Sequence, residues 1–203
     1  MQLLLIRHAL PHRTAAGEGS DPELDERGWE QARRLPGALS RFAIGRLISS
    51  PQRRALQTAA PVADTLGVAV EVDERLAEYD RAMSHYVPLE HVRAERPDDW
   101  SRMADGHLPA SVDTDAFGAR IRAALSDIAA STAHSDTVAV FSHGGVINVA
   151  LHQILGTPRP LSFPIDYTSV TALRYSKSGK VTVASVNAVE HVWDLLPRNR
   201  TTS

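Results

Sequence analysis

The sequence predicts an α/β protein: a three-layer sandwich with a mostly parallel central sheet, helices on both faces, and a short insertion capping the C-terminal edge of the sheet. Three observations lead there. Short apolar runs alternate with longer stretches of helical periodicity along the chain, the pattern of repeated strand–helix units. The runs Leu3–Ile6 (LLLI) and Thr137–Phe141 (TVAVF) are continuous instead of alternating, as expected of strands covered on both faces. The alternation breaks once, from Tyr79 to Pro109, where the chain turns polar, aromatic and proline-punctuated.

In chain order, Leu3–Ile6 is the first strand and Arg46–Ser49 (RLIS) the second. Ser50-Pro51 then offers an N-cap and a proline at the first helical position; Gly67 closes that helix, and Pro61 is expected to kink it. The insertion holds two short helical pieces, Leu89–Glu95 and Asp98–Asp105. Phe117, Ile121, Leu125 and Ile128 recur at helical spacing after a cap at Asp113 or Thr114. The third strand, Thr137–Phe141, leads into a helix opened by Gly144-Gly145 and running through Val146, Val149 and Ile154, with Gly156 past its end. Finally, residues 168–175 (TSVTALRY) and 180–187 (KVTVASVN) flank Ser176-Lys177-Ser178-Gly179. This is a hairpin signal, rich in β-branched residues with glycine in the turn.

Composition narrows the class. The chain has 203 residues, 43% hydrophobic and 23% charged, which fits a single globular domain over 1–203 with residues 79–109 as a lid-like insertion. A formal net charge of −2 gives no reason to expect nucleic acid or a membrane surface as partner. No stretch approaches the length of a membrane span, and the first residues lack the basic region and cleavage site of a secretory leader. The absence of cysteine excludes disulfides, thiolate nucleophiles and cysteine metal sites, and is compatible with a cytoplasmic, reducing location.

The chemistry gathers where strands end. The first strand runs into Arg7-His8, the second into Ser49-Ser50-Pro51-Gln52-Arg53-Arg54, the third into Ser142-His143-Gly144-Gly145. Parallel strands of an open sheet place their carboxyl ends along one edge, where ligands bind. The three clusters together bring arginines, histidines and two helix N-termini, a set suited to an oxyanion with several oxygens. No Gly-rich nucleotide loop is present, so the expected ligand is a small phosphomonoester held by side chains. A neutral imidazole in such a pocket is a competent nucleophile, and flanking arginines stabilise the transferred phosphoryl group. An acid is still needed to protonate the leaving alkoxide and then to activate water. Glu78 is the best placed, just before the insertion.

These segments resemble the histidine phosphatase superfamily, the phosphoglycerate mutase-like group, almost end to end. LLLIRHA (residues 3–9) is similar to the family's RHG signature with Ala9 in place of glycine. DPELDERGWEQA (21–32) resembles the helix that follows, SPQRRALQTA (50–59) the second arginine motif, Leu76-Ala77-Glu78 the proton-donor segment, and FSHGGVI (141–147) the second-histidine motif; Asn187 and His191 fit the usual ending. The resemblance implies that His8 is the nucleophile and becomes phosphohistidine. It implies further that Arg7, Arg54 and His143, with Gly144 beside them, form the phosphate pocket, and that Glu78 acts as acid and then base. No metal and no organic cofactor would be needed, and a homodimer is compatible with what relatives do. The resemblance also implies two alternatives, a phosphoglycerate-type mutase on the same site and a non-catalytic relative that binds a phosphorylated ligand.

Departures from the family pattern fall just after the signature. Leu10, Pro11 and Thr14 stand where relatives carry an acidic residue, a hydroxyl residue and an asparagine. Proline offers neither a hydroxyl nor an N–H, so one phosphate contact seen in relatives is expected to be absent or to be replaced by Arg13 or His12. The insertion lacks the paired arginines with which mutases grip a substrate carboxylate, which favours hydrolysis. Arg53 is expected to face solvent. His134, His152 and His191 are expected to be surface or packing residues, and His12, His85, His91 and His107 fall in loops or the insertion. No metal-binding spacing appears among them.

Overall fold

The computed structural model describes residues 1–14 and 18–199. Its main elements are β1 (Gln2–Arg7), α1 (Glu26–Leu39), β2 (Ile44–Ser49), α2 (Arg53–Leu66), β3 (Val70–Val72), α3 (Leu89–Glu95), α4 (Pro97–Ala104), α5 (Thr114–Ala130), β4 (Thr137–Ser142), α6 (Gly144–Leu155), β5 (Val170–Tyr175) and β6 (Val181–Ala188). The strands form one six-stranded sheet in the order β3-β2-β4-β1-β5-β6. The first four strands are mutually parallel; β5 runs antiparallel to β1, and β6 to β5.

The continuous apolar run of β1 follows from its place at the centre of the sandwich. Leu3, Leu4, Leu5 and Ile6 are at most 1% exposed. Successive side chains leave a strand on opposite faces. Leu3 and Leu5 join a core with Ile121 and Leu125 of α5 and Ile147 of α6. Leu4 and Ile6 join a second core with Leu35 of α1 and Val62 of α2. Val138 and Val140 of β4 divide from Ala139 and Phe141 in the same way. Helices therefore cover both faces, as the sequence pattern predicts.

Local signals account for most boundaries. Asp113 caps α5 by accepting from the Ala116 backbone N–H, and Gly67 and Gly156 end α2 and α6 in the left-handed conformation (φ 65° in each). Gly179 (φ 81°) turns the chain between β5 and β6. The start of α2 departs from expectation. The helix begins at Arg53 with Gln52 as its cap, not at Pro51 with Ser50. The reason lies in the partners of Ser50: its backbone N–H extends the strand pairing to Phe141 O (2.9 Å) and its hydroxyl contacts His143. The three-residue, largely exposed β3 carries no apolar run and gives no strand signal.

The loop leaving β1 is fixed in place by α1 and α2. Ala9 N–H donates to Thr58 Oγ1 (2.9 Å) and Leu10 N–H to Gln31 Oε1 (2.8 Å), while Leu10 O accepts from Asp25 N–H (3.1 Å). Gly28 lets the helix approach this closely, because a Cβ there would lie 1.9 Å from Leu10 O. Backbone on both sides leaves no flexible group to yield. Gly28→Ala is therefore expected to destabilise the fold by about 2 kcal/mol or more, which thermal unfolding would register as a fall in Tm of roughly 5 °C. An unchanged Tm would refute this packing.

Candidate active site

Sheet register brings the polar clusters together. Arg7 pairs with Ser142 across β1 and β4, and Ser49 with Phe141 across β2 and β4. The residues one step further on, His8, His143 and Ser50, thus emerge side by side at the C-terminal edge. His8 N–H donates to Ser142 O (2.8 Å), and the two imidazole centroids are 5.1 Å apart.

The surroundings of His8 select its tautomer. Nδ1 lies 2.8 Å from Ala9 O. A carbonyl oxygen only accepts, so Nδ1 carries the proton and Nε2 of the neutral ring keeps its lone pair. The ring is 3% exposed. Burial first, then the charges of Arg54 and Arg7, hold its pKa well below the usual histidine value. His143, wholly buried, is lowered for the same leading reasons, burial and the Arg54 charge. Its Nε2 sits 2.7 Å from Ser50 Oγ. Ser50 Oγ accepts from Gln52 N–H (3.3 Å) and can give its own proton to Nε2. A neutral His143 bonded in that way presents Nδ1–H as a donor.

Arg7 donates to Ile165 O (2.6 Å) and stacks over the Tyr167 ring at 3.9 Å. Arg54 is completely buried. It donates to both carboxylate oxygens of Asp80 (2.9 and 2.8 Å) and to Ser20 O (3.0 Å), and lies over Tyr86. Its Nε and the Nδ1 of His143 are buried without any partner. A buried polar group left unpaired costs about 1–3 kcal/mol, and a bound oxyanion would satisfy both.

Glu78 closes the arrangement. Its Oε2 accepts from Gly145 N–H (2.8 Å) and its Oε1 from Tyr79 N–H (3.1 Å). Burial, and next the charge of Asp80, push its pKa up to about 7, against the lowering effect of those two hydrogen bonds and of Arg54. A Cβ at Gly145 would lie 2.5 Å from Glu78 Oε1, so any larger residue would have to displace the carboxylate. Gln52 ties the segment to the start of α2, accepting from Glu78 N–H (2.7 Å) and donating to Asp80 Oδ1 (3.0 Å).

Arg7, His8, Arg54, Glu78, Gly144 and Gly145 all face one cavity of about 290 Å³, to which residues between Tyr79 and Ala104 add a wall. His143 is not itself among the residues lining the cavity; its ring packs against that of His8, centroid to centroid 5.1 Å. Arg13 is placed elsewhere. Its side chain is 57% exposed and pairs with Glu95 (2.7 Å), and it is not among the residues lining the cavity; the nearer carboxylate holds it at the surface. Thr14 braces the loop to the insertion, donating to Gly19 O and accepting from Tyr86 N–H. Arg53 is exposed and paired with Glu23. Asn187 holds Asp166 through two hydrogen bonds and His191 is half-buried nearby, neither lining the cavity. Asp80, Gln52 and Ser50 are site residues that the sequence does not single out: Asp80 is one carboxylate of many in a polar segment, and Ser50 reads first as a helix cap.

A histidine with a free Nε2, two buried arginines and a carboxyl group protonated near neutrality, at the carboxyl edge of a parallel sheet, define a phosphoryl-binding α/β protein of the histidine type. The chain belongs to the histidine phosphatase superfamily (branch 1), whose family model matches residues 3–188. It is 28% identical over 203 residues to a protein of Hydrogenobacter thermophilus named "Putative phosphoserine phosphatase 2", covering 96% of this chain and 98% of that one. Among solved structures it resembles a mycobacterial glucosyl-3-phosphoglycerate phosphatase (TM-score 0.76, 24% identity, 92% of this chain and 98% of that one). It also resembles an Entamoeba histolytica phosphoserine phosphatase variant in complex with phosphoserine (TM-score 0.72, 21% identity, 94% and 98%). At those identities the structures speak for the shared fold.

Because the Asp80 charge raises the Glu78 pKa and Arg54 lowers it, neutralising Asp80 should act in one direction. Carboxyl-labelled NMR is expected to find Glu78 titrating near 7 in the wild type and at lower pH in Asp80→Asn. A higher or unchanged midpoint in the variant would contradict the assigned electrostatics.

Proposed function

We propose that the protein is a phosphoric monoester hydrolase that works through a phosphohistidine on His8, with no metal ion or organic cofactor. The observation that carries this reading is the pairing of opposite needs in one buried site: an imidazole kept neutral with Nε2 free, and on the same cavity a carboxyl group whose pKa is raised to about 7. Separated pKa values of this kind mark a nucleophile and an acid.

The steps follow from the atoms. His8 Nε2 attacks phosphorus; the N–P bond forms and the bond from phosphorus to the leaving oxygen breaks. The leaving alkoxide takes the Glu78 proton. Ala9 O, accepting from Nδ1–H, stabilises the positive charge that the ring acquires. Arg7, the unpaired Nε of Arg54, Nδ1–H of His143 and the N-terminus of α6 at Gly144 bind the phosphoryl oxygens and offset their charge. The Glu78 carboxylate next takes a proton from water, whose oxygen attacks phosphorus as the N–P bond breaks. Inorganic phosphate leaves, and His8 returns neutral. No three potential metal ligands cluster among the described residues. The relative named as a putative phosphoserine phosphatase supports the same reaction class.

His8→Ala is expected to lower kcat by at least about 10³-fold with Tm unchanged, and EDTA to leave wild-type turnover intact. Rapid quenching of the wild type should trap an acid-labile, alkali-stable phosphoryl group on His8; its absence, with normal turnover in the variant, would end this reading. Glu78 must be protonated for the first step, so kcat/KM for a phosphate of a poor leaving group should decline as pH rises through about 7. The lower limb belongs to His8, below its ordinary value, and to the second ionisation of the substrate near pH ~6. Glu78→Gln should abolish the alkaline limb and slow alkyl phosphates by about 10²–10⁴-fold, with a much smaller effect on p-nitrophenyl phosphate. Equal losses for both leaving groups would assign the acid to another residue.

A further inference from the structure

The apolar part of the cavity lining has a different character from the groups that face the phosphate. Its walls come from Val87 and Val92, from Trp100 and Met103 of α4, and from Leu161 and Phe163 in the segment after α6. The side-chain amide of Asn148, also in the lining, is already satisfied by backbone: it donates to Gly144 O and Phe163 O and accepts from Phe163 N–H. Among the described residues, Arg7 and Arg54 are the lining side chains with a permanent positive charge. Both are committed, Arg7 at Ile165 O and Tyr167, and Arg54 at Asp80. Four cations in or near the insertion are turned to other groups. Arg13 pairs with Glu95, Arg81 with Glu74, Arg96 with His85 O and Met83, and Arg102 with Leu108 O. The acidic groups in the lining are Asp80, paired with Arg54, and Glu78, whose ionisation burial holds back.

This distribution decides between leaving groups. A carboxylate on the alcohol part of a substrate would enter a site that already holds a phosphate dianion and the Asp80 carboxylate, and among the described lining residues it would meet no cation beyond Arg7 and Arg54, which face the phosphate. Burying an unpaired charge is strongly unfavourable, whereas apolar atoms would replace water against Trp100, Phe163 and their neighbours. We propose that the substrate is a phosphomonoester of an uncharged, largely apolar alcohol, an alkyl or arylalkyl phosphate, and not a phosphorylated hydroxy acid or amino acid. The proposal rests on the hydrolase reading above and names the substrate class for the same site.

Kinetics with primary alkyl phosphates test it, because their leaving groups need similar protonation. Phosphate release would be followed for 2-phenylethyl phosphate, ethyl phosphate, O-phosphoserine and 3-phosphoglycerate, each with the wild type and with His8→Ala. The expected kcat/KM for 2-phenylethyl phosphate exceeds that for either acid by on the order of 10-fold or more, and every activity is lost in His8→Ala. Trp100→Ala and Phe163→Ala should each shrink the ratio of 2-phenylethyl to ethyl phosphate, and Met103→Arg should raise kcat/KM for 3-phosphoglycerate. Equal or faster His8-dependent turnover of the acids overturns the substrate class while the hydrolase reading stands. Turnover that survives in His8→Ala for all four substrates overturns that reading, and the substrate class with it.

Discussion

The parallel pairing of β1 with β4 sets Arg7 opposite Ser142, and the site depends on that register. Each strand contributes a histidine one step beyond the last paired residue, so the two imidazoles are neighbours because the backbones are. A slip of one residue would turn every side chain of β1 to the other face. It would exchange Leu3 and Leu5 for Leu4 and Ile6 in two cores that differ in their partners. The apolar cores on either side of the sheet thus hold the catalytic geometry indirectly: they penalise every register but one. Ser50, at the end of β2 beside β4, is delivered by the same mechanism.

A buried edge of this kind shifts ionisable groups in opposite directions by one cause. Burial disfavours charge, so His8 and His143 are pushed toward the neutral base and Glu78 toward the neutral acid. The arginines strengthen the first effect; Asp80 strengthens the second. Arg54 is the group whose own burial demands compensation, and the bidentate contact from Asp80 supplies it. That contact has two consequences. It keeps a positive guanidinium in a fully enclosed position, and it brings a carboxylate close enough to Glu78 to hold back its ionisation. The insertion that supplies Asp80 is therefore part of the electrostatics, in addition to walling the cavity.

Much of this is legible in the sequence itself. Continuous apolar runs ending in Arg7-His8 and Ser142-His143, and the glycines after the second, locate the sheet edge because those signals are local: burial on two faces, helix starts, and backbone left open for a ligand. α3 falls on the residues predicted for it, and Asp113 caps α5 as its position suggests. What stays hidden depends on contacts between segments distant in sequence. Ser50 looks like a helix cap until its hydroxyl is seen against His143, 93 residues away. Asp80 is one acid among several until Arg54 is placed beneath it. The gap left at Pro11 points to Arg13, but the carboxylate of Glu95, brought close by the insertion, outcompetes the pocket for it. β3 leaves no trace in the pattern because three largely exposed residues carry no periodicity.

The two halves of the cavity obey different constraints. At the sheet edge each group is fixed from more than one side. Glu78 is held by Gly145, Tyr79 and Gln52, and an added methyl group at Gly145 would already collide with it. Positioning of that kind suits chemistry on the phosphoryl group, where small misplacements are costly. The wall from α4 and the segment after α6 makes few polar commitments toward the cavity. Apolar surfaces recognise area and shape without fixing direction, so substitutions there can alter which alcohol is accepted while the phosphate end stays in register. The phosphate end is thus anchored at the strand ends, and the apolar wall in segments that the sheet does not constrain.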